Sequence, residues 1–273
     1  MAAYLRQTPI DEKRVYLAGM SGGSRVALEI GLRTGKGIAG VLASSAGFMD
    51  DKRTSAPFPI FGSAGTEDFN YLEMRRLDRT LTSPHRLAVF EGGHVWLPEE
   101  TATWGVEWLE LQAMKSGLKK RDDREIEDIF RKRSELAQGN SLDALIAALD
   151  MVADFNGLHD TKEIAGHAAQ AAKDKAVQDA RKKDRADLDR EQRLIDDLLT
   201  AERKLSGEER IIAMADLRGI WKRLAVNSNG ADDSLDRRRA RRVLRGLSMG
   251  VNERTTDPDY RKLVSEYRPA RGR

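Results

Sequence analysis

The chain has 273 residues, of which 40% are hydrophobic and 33% are charged, and none is a cysteine. This composition is typical of a globular protein, and it excludes disulfides, thiolate catalysis and cysteine-ligated zinc. No segment approaches the ~18 consecutive apolar residues of a membrane span, so we expect no membrane association.

The net charge of +3 hides two unlike parts of the chain. Residues 1–114 hold 12 basic and 14 acidic residues, whereas residues 115–273 hold 35 basic and 30 acidic residues. Glycine is concentrated between Gly19 and Gly117 and is sparse afterwards. We therefore predict two domains: an α/β unit over residues 1–117 and an all-α, helical region over residues 118–273.

Short apolar runs alternate with helical patterns in the first part of the chain. We predict strands at 14–18, 38–43, 58–62 and 86–90, and helices at 22–34, 68–81 and 97–114. This alternation predicts a mainly parallel sheet that is covered by helices on both faces. Sheet proteins place reactive groups in the loops at strand ends, and three such loops carry chemically useful side chains.

The first of these loops is a G-x-S-x-G motif that runs from Gly19 to Gly23 between a predicted strand and a predicted helix. This context is the one that a nucleophile elbow requires, because the tight turn presents the hydroxyl of Ser21 at the end of the sheet. The backbone N–H of Gly22, at the start of the helix, would face a developing oxyanion. A plain structural turn is an equally good explanation of the motif alone.

The second and third loops supply an acid and a histidine. Asp68 follows the third strand, where it would either orient a histidine or cap the next helix, and Glu67 is a rival acid. His94 lies in a glycine-rich loop after the fourth strand. Serine, acid and histidine in this chain order are typical of α/β-hydrolases and are much less expected by chance than any one of them alone.

Segments 14–25, 65–71 and 90–96 resemble the elbow, the acid loop and the histidine loop of the α/β-hydrolase superfamily. The resemblance is closest to bacterial esterase, dienelactone hydrolase and polyhydroxybutyrate depolymerase-like branches. It covers residues 1 to about 114 and implies a partial α/β-hydrolase sheet from the elbow strand onward. The family strands that precede the elbow, and the loop that supplies a second oxyanion N–H, have no counterpart in this sequence.

The resemblance also implies roles for individual residues. Ser21 would be the nucleophile, His94 the base, Asp68 the acid and the Gly22 N–H an oxyanion donor. His94 would deprotonate Ser21, which attacks a small carboxylic ester or other acyl substrate, and water would then release the acid. This chemistry needs no cofactor and no metal. A missing second oxyanion donor would lower turnover by ~10²–10³.

The absent upstream strands would leave a long sheet edge open to pairing. Three explanations stay open: the chain is a fragment of a longer product, another copy or partner protein covers the edge, or the C-terminal helices cover it and leave a non-catalytic relic. A truncated start could also have removed a targeting signal, so the localisation is undetermined and cytoplasmic by default.

The second part of the chain has helical patterns and no catalytic motif. Helices are predicted at 121–138, 142–155 and 160–205. A further helix is predicted to begin at a capping box at 206–209, and a last one to begin at residue 257. Ser141 is the predicted N-cap of the second of these helices. The helix pair around residues 139–141 weakly resembles one tetratricopeptide-type hairpin.

Two charged features of this part have simple interpretations. The basic run from Arg237 to Arg242 lies beside several aspartates and has no interleaved aromatic residues, so we predict a solvated helix face rather than a nucleic-acid site. His159 and His167 are eight residues apart without a matching acidic cluster, so we expect no metal site.

Two functions from different classes follow from these observations. The first is a serine esterase of the α/β-hydrolase type with a helical appendage. The second is a catalytically impaired hydrolase relic that serves as a helical protein-interaction module. The presence of all three of Ser21, Asp68 and His94 favours the enzyme, because loss of catalysis usually lets one such residue drift.

Overall fold

The computed structural model describes residues 10–35 and 37–267; residues 1–9, Lys36 and residues 268–273 lie outside these ranges. The described residues of the first part of the chain form four strands and three helices. They are β1 (Val15–Met20), α1 (Gly22–Thr34), β2 (Ile38–Ser44), β3 (Ile60–Gly65), α2 (Tyr71–Thr80), β4 (His85–Phe90) and α3 (Glu99–Lys115). The predicted α/β fold with an all-α C-terminal region is confirmed.

The four strands form one parallel sheet in the order β1-β2-β3-β4. Met20 pairs with Ser44, Ser44 with Ser63, and Gly65 with Phe90, so the carboxyl ends of the strands lie along one edge. The loops that follow β1, β3 and β4 therefore all emerge on the same side of the sheet. Within the described ranges, no strand pairs with the outer side of β1.

Helices cover both faces of the sheet because β2 and β3 are apolar and buried along their length. On one face, α1 and α2 pack over a core that includes Leu28, Val41, Phe58 and Ile60. On the other face, α3 contributes Trp108 and Leu109, which pack on Phe61 and Ala88.

The third strand differs from its prediction at both ends. The strand begins at Ile60 rather than at residue 58, and residues 63–65, which were expected to lie in the loop after it, continue the strand and are buried. A Cβ at Gly62 would lie 2.9 Å from the Met74 side chain, and a Cβ at Gly65 would lie 2.4 Å from the carbonyl oxygens of two glycines in the β4 loop. Small residues are needed here because neighbouring elements approach the strand closely.

The remaining residues form eight helices in the described part of the chain. They are α4 (Asp123–Ser134), α5 (Leu142–Phe155), α6 (Lys162–Ala171), α7 (Lys175–Lys204), α8 (Arg210–Ser228), α9 (Leu235–Met249), α10 (Val251–Arg254) and α11 (Pro258–Tyr267). Ser141 caps α5 as predicted, since its Oγ accepts the N–H of Ala144 at 3.0 Å.

Two helix boundaries correct the sequence-based expectations. The predicted single helix over 160–205 is two helices, because the chain breaks between Ala171 and Lys175 and Asp174 caps the second helix with its side chain. The predicted capping box at 206–209 does not form. Instead, Ser206 Oγ donates to the carbonyl of Arg203, and α8 begins only at Arg210.

The helical region has two apolar cores. One core joins α4, α5, α6 and the start of α7 to Leu111 and Met114 of α3, so it is continuous with the α/β unit. The other is built from α7, α8, α9 and α11 around Trp221, which is buried and donates its indole N–H to Tyr260 Oη at 3.1 Å. These cores position α9 beside the carboxyl ends of the strands, where the loops after β1, β3 and β4 emerge.

Candidate active site

Ser21 lies in a strained turn between β1 and α1. Its backbone has φ 54° and ψ −122°, a combination that a residue with a side chain rarely adopts. Such strain costs on the order of 1–3 kcal/mol and is found most often at functional sites. Gly19 makes the turn possible, because a Cβ there would lie only 2.1 Å from the carbonyl oxygen of Gly23.

Asp68 and His94 are hydrogen-bonded to each other. His94 Nδ1 lies 2.9 Å from Asp68 Oδ1, and the carboxylate is fully buried. With the carboxylate as acceptor, His94 Nδ1 is the donor of this bond, and His94 Nε2 has no hydrogen-bond partner among the described residues. The ring of Phe69 stacks on the imidazole at a centroid distance of 4.0 Å and holds its orientation.

The Asp68 loop is organised around this carboxylate rather than as a helix cap. Asp68 Oδ1 also accepts the backbone N–H of Asn70 at 2.8 Å. The predicted helix start at residue 68 was wrong: α2 begins at Tyr71 with Asn70 in the N-cap position. The side chain of Asn70 donates to the carbonyl of Ser45 at 2.6 Å, which ties the acid loop to the end of β2.

Ser21 is at the same edge of the sheet but is not bonded to the Asp68–His94 pair. Among the described residues, no hydrogen bond joins Ser21 Oγ to His94 Nε2. Catalytic hydrogen bonds are often long in ligand-free enzymes and tighten only when substrate is bound. Gly22 begins α1, and the first N–H groups of a helix have no acceptor within the helix.

The acid loop and the histidine loop are in direct backbone contact. Thr66 N–H donates to the carbonyl of Phe90 at 2.9 Å, and Glu67 N–H donates to the carbonyl of Gly92 at 2.7 Å. The close approach at Gly65 described above allows these bonds to form. The loop pairing places Asp68 and His94 within hydrogen-bond distance.

The arginine run of α9 packs on these two loops, which corrects the prediction that it is a solvated helix face. Arg241 binds the carboxylate of Glu67 at 2.7 and 3.0 Å. Arg238 binds Glu91 at 3.0 Å, and Arg242 donates to the carbonyl of Thr66. Glu67 is therefore already paired, which favours Asp68 over Glu67 as the acid beside His94.

Ser45 is a residue of this edge that the sequence analysis missed. It follows β2, has φ 59°, and is fully buried. Its N–H donates to the carbonyl of Ser63 at 2.7 Å. Ser45 Oγ and Asp68 Oδ2 are both buried without a hydrogen-bond partner in the described structure. The sequence gives no sign of this, because the left-handed backbone of Ser45 follows from the sheet geometry.

In comparisons with known proteins, no protein-family model, curated protein or solved structure matches the chain. Residues 10–35 and 37–267 contain no group of three or more His, Asp or Glu side chains arranged to hold a metal ion. No helix in the same ranges is long and apolar enough to cross a membrane.

Proposed function

We propose that the protein is a serine hydrolase that cleaves a carboxylic ester through an acyl-enzyme. One observation carries the proposal: a half-buried His94 is hydrogen-bonded to the fully buried Asp68 at the sheet edge that also presents Ser21 in a strained strand-to-helix turn. Hydrogen-bonded acid and base beside a serine are the elements of a nucleophilic triad. The resemblance of the three loops to those of α/β-hydrolases points to the same chemistry.

In the proposed reaction, His94 Nε2 accepts the proton of Ser21 as the hydroxyl oxygen attacks the ester carbonyl. The Gly22 N–H, at the positive end of α1, donates to the oxyanion of the tetrahedral intermediate. His94 returns the proton to the departing alcohol, which leaves an acyl group on Ser21. Water then attacks the acyl-enzyme with His94 again as base, and the acid is released. Asp68 fixes the tautomer of His94 and stabilises its protonated form.

Hydrolysis of p-nitrophenyl acetate tests this proposal. The full chain is expected to release p-nitrophenol faster than the buffer, with a burst that corresponds to acylation. Ser21→Ala is expected to lose this activity, whereas Ser265→Ala, at an exposed serine of α11, is expected to keep it. Equal rates for wild type and Ser21→Ala would refute the proposal.

The second candidate function is association with a second copy of this chain through the edge strand β1. The specific observation is that no described strand covers the outer side of β1, while the adjoining Val26 and Ile30 of α1 are exposed. Open strand edges pair readily with other chains. Light scattering is expected to give the mass of a dimer that Val26→Glu converts to a monomer. A monomeric wild type would refute self-association.

A further inference from the structure

A cavity of about 620 Å³ lies between the α/β unit and the helical region, and neither Ser21 nor His94 lines it. Its walls come from β4, α2 and α3 on one side and from α4, α5, α7 and α9 on the other. Ligand sites in proteins typically have volumes of ~300–1,000 Å³ and mostly apolar walls with a few polar groups. The size of this cavity therefore suits a small organic ligand.

The walls are largely apolar and include side chains with large exposed fractions. Val89, Leu136 and Ile146 are 43%, 57% and 45% exposed, and all three line the cavity together with the aromatic rings of Trp104 and Trp108. Clustered exposed apolar side chains mark binding sites more often than single ones do. The apolar part of a bound ligand would cover these three side chains.

The polar groups of the cavity are predominantly carboxylates. Five aspartates and three arginines line it: Asp78, Asp143, Asp150, Asp154, Asp184, Arg75, Arg133 and Arg238. Each of these arginines already holds a carboxylate, at 2.8 Å for Arg75–Asp184, 3.6 Å for Arg133–Glu107 and 3.0 Å for Arg238–Glu91. The positive charge of each lining arginine is therefore already offset by a carboxylate among the described residues.

The carboxylates, in contrast, exceed their cationic partners. Asp150 and Asp154 share the single guanidinium of Arg86. Asp143 forms no ion pair with any described residue, and within the same ranges the carboxylate of Asp78 has an ion pair only with His85, at 3.7 Å. Burial, together with the nearby carboxylates of Asp154 and Asp78, raises the pKa of Asp150 to about 6 even though Arg86 pairs with it. A cation in the cavity would supply the missing charge.

We propose that this cavity binds a small organic cation, an amine or ammonium group on an apolar body of about ten carbon atoms. The ammonium group lies near Asp143 and Asp150, and the apolar body packs on Trp104 and Ile146. Trp104 already has the guanidinium of Arg133 4.5 Å from its ring centroid, so its face accepts positive charge. This site does not depend on the proposed esterase activity.

Isothermal titration calorimetry with three ten-carbon probes tests the proposal on the full chain below their micelle-forming concentrations. Decylammonium is expected to bind at least about tenfold more tightly than decanoate, with decanol between them. Equal binding of decylammonium and decanoate, tighter binding of decanoate, or no binding of any probe would overturn it.

Variants locate the binding. Asp143→Asn, at an exposed residue whose loss should not affect folding, is expected to weaken decylammonium about fivefold and to leave decanol unchanged. The matched control is Asp232→Asn, which removes the same charge outside the cavity. Ile146→Trp fills the cavity and is expected to abolish binding, whereas Ile211→Trp, at an exposed position of α8, is not. Unchanged binding in Ile146→Trp would refute the assignment of the site.

Discussion

The contact between α9 and the acid loop depends on the buried pair of Arg242 and Glu191, and this dependence can be measured. The side chains of Arg242 and Glu191 are 9% and 3% exposed. Arg242 Nε donates to Glu191 Oε1 at 2.9 Å, and its guanidinium lies 4.4 Å from the ring centroid of Tyr71. Arg242→Met removes the cation and leaves the carboxylate of Glu191 buried without a partner.

The expected cost follows from that uncompensated charge. Removal of one partner of a buried ion pair destabilises a protein by about 3–5 kcal/mol, whereas replacement of both partners by apolar residues is often neutral. Arg242→Met is therefore expected to lower the free energy of unfolding by about 3–5 kcal/mol. The double variant Arg242→Met, Glu191→Leu is expected to recover most of that loss.

Urea unfolding followed by circular dichroism measures both variants against Arg218→Met, at an exposed arginine of α8 that forms no ion pair with any described residue. A loss below about 1 kcal/mol for Arg242→Met is what a surface pair would give. That result, or a double variant that is no more stable than the single one, would contradict the assignment of Arg242 as a buried anchor between α7, α9 and the Thr66 carbonyl.

Three further predictions concern the elbow, the acid and the cavity. Gly19→Ala is expected to abolish esterase activity, because the added Cβ would lie 2.1 Å from the carbonyl oxygen of Gly23 and would disrupt the turn that holds Ser21. Gly23→Ala is the control and should keep the fold, because no atom lies within 4 Å of its added Cβ. An equal loss of activity in the two variants would show that disruption of this turn is not the cause. Asp68→Asn is expected to lower kcat by ~10⁴ because His94 would lose its orienting acceptor, while Glu67→Gln should have a much smaller effect; the reverse order would make Glu67 the acid. Burial raises the pKa of Asp150 from 3.8 to about 6, so the folded chain binds this proton more readily than the unfolded chain. The stability contributed by this group therefore rises as pH falls from 7 through 6 toward 4, on the order of 2 kcal/mol. Asp150→Asn should lack that rise in unfolding experiments, and an unchanged pH profile would contradict it.

The fold class was accessible from the sequence because apolar strands and amphipathic helices alternate with clear turn residues. β2 was predicted at 38–43 and is observed at Ile38–Ser44. β3 was harder, because its small residues have low strand propensity and are tolerated only through close packing on both sides. The strand-to-helix turn predicted from the motif at Gly19 to Gly23 is observed, since that geometry is set by local sterics.

The contacts of α9 could not be predicted in the same way. Arg241 meets Glu67 across 174 positions of sequence, and Arg242 meets Glu191 across 51. A run of arginines has the same local sequence pattern whether its side chains are solvated by water or paired with distant carboxylates. Only the packing of α9 against α7 and the loops decides between these outcomes, and that packing depends on residues far apart in the chain.

The most direct test of the proposed hydrolase is covalent labelling with a fluorophosphonate, followed by mass spectrometry of the labelled peptide. The reagent reacts with a serine hydroxyl only when a neighbouring base activates it. We predict a single adduct on Ser21, absent in Ser21→Ala and formed much more slowly in His94→Gln. A folded chain that gives no adduct, or an adduct on Ser21 that forms equally fast in His94→Gln, would contradict the account.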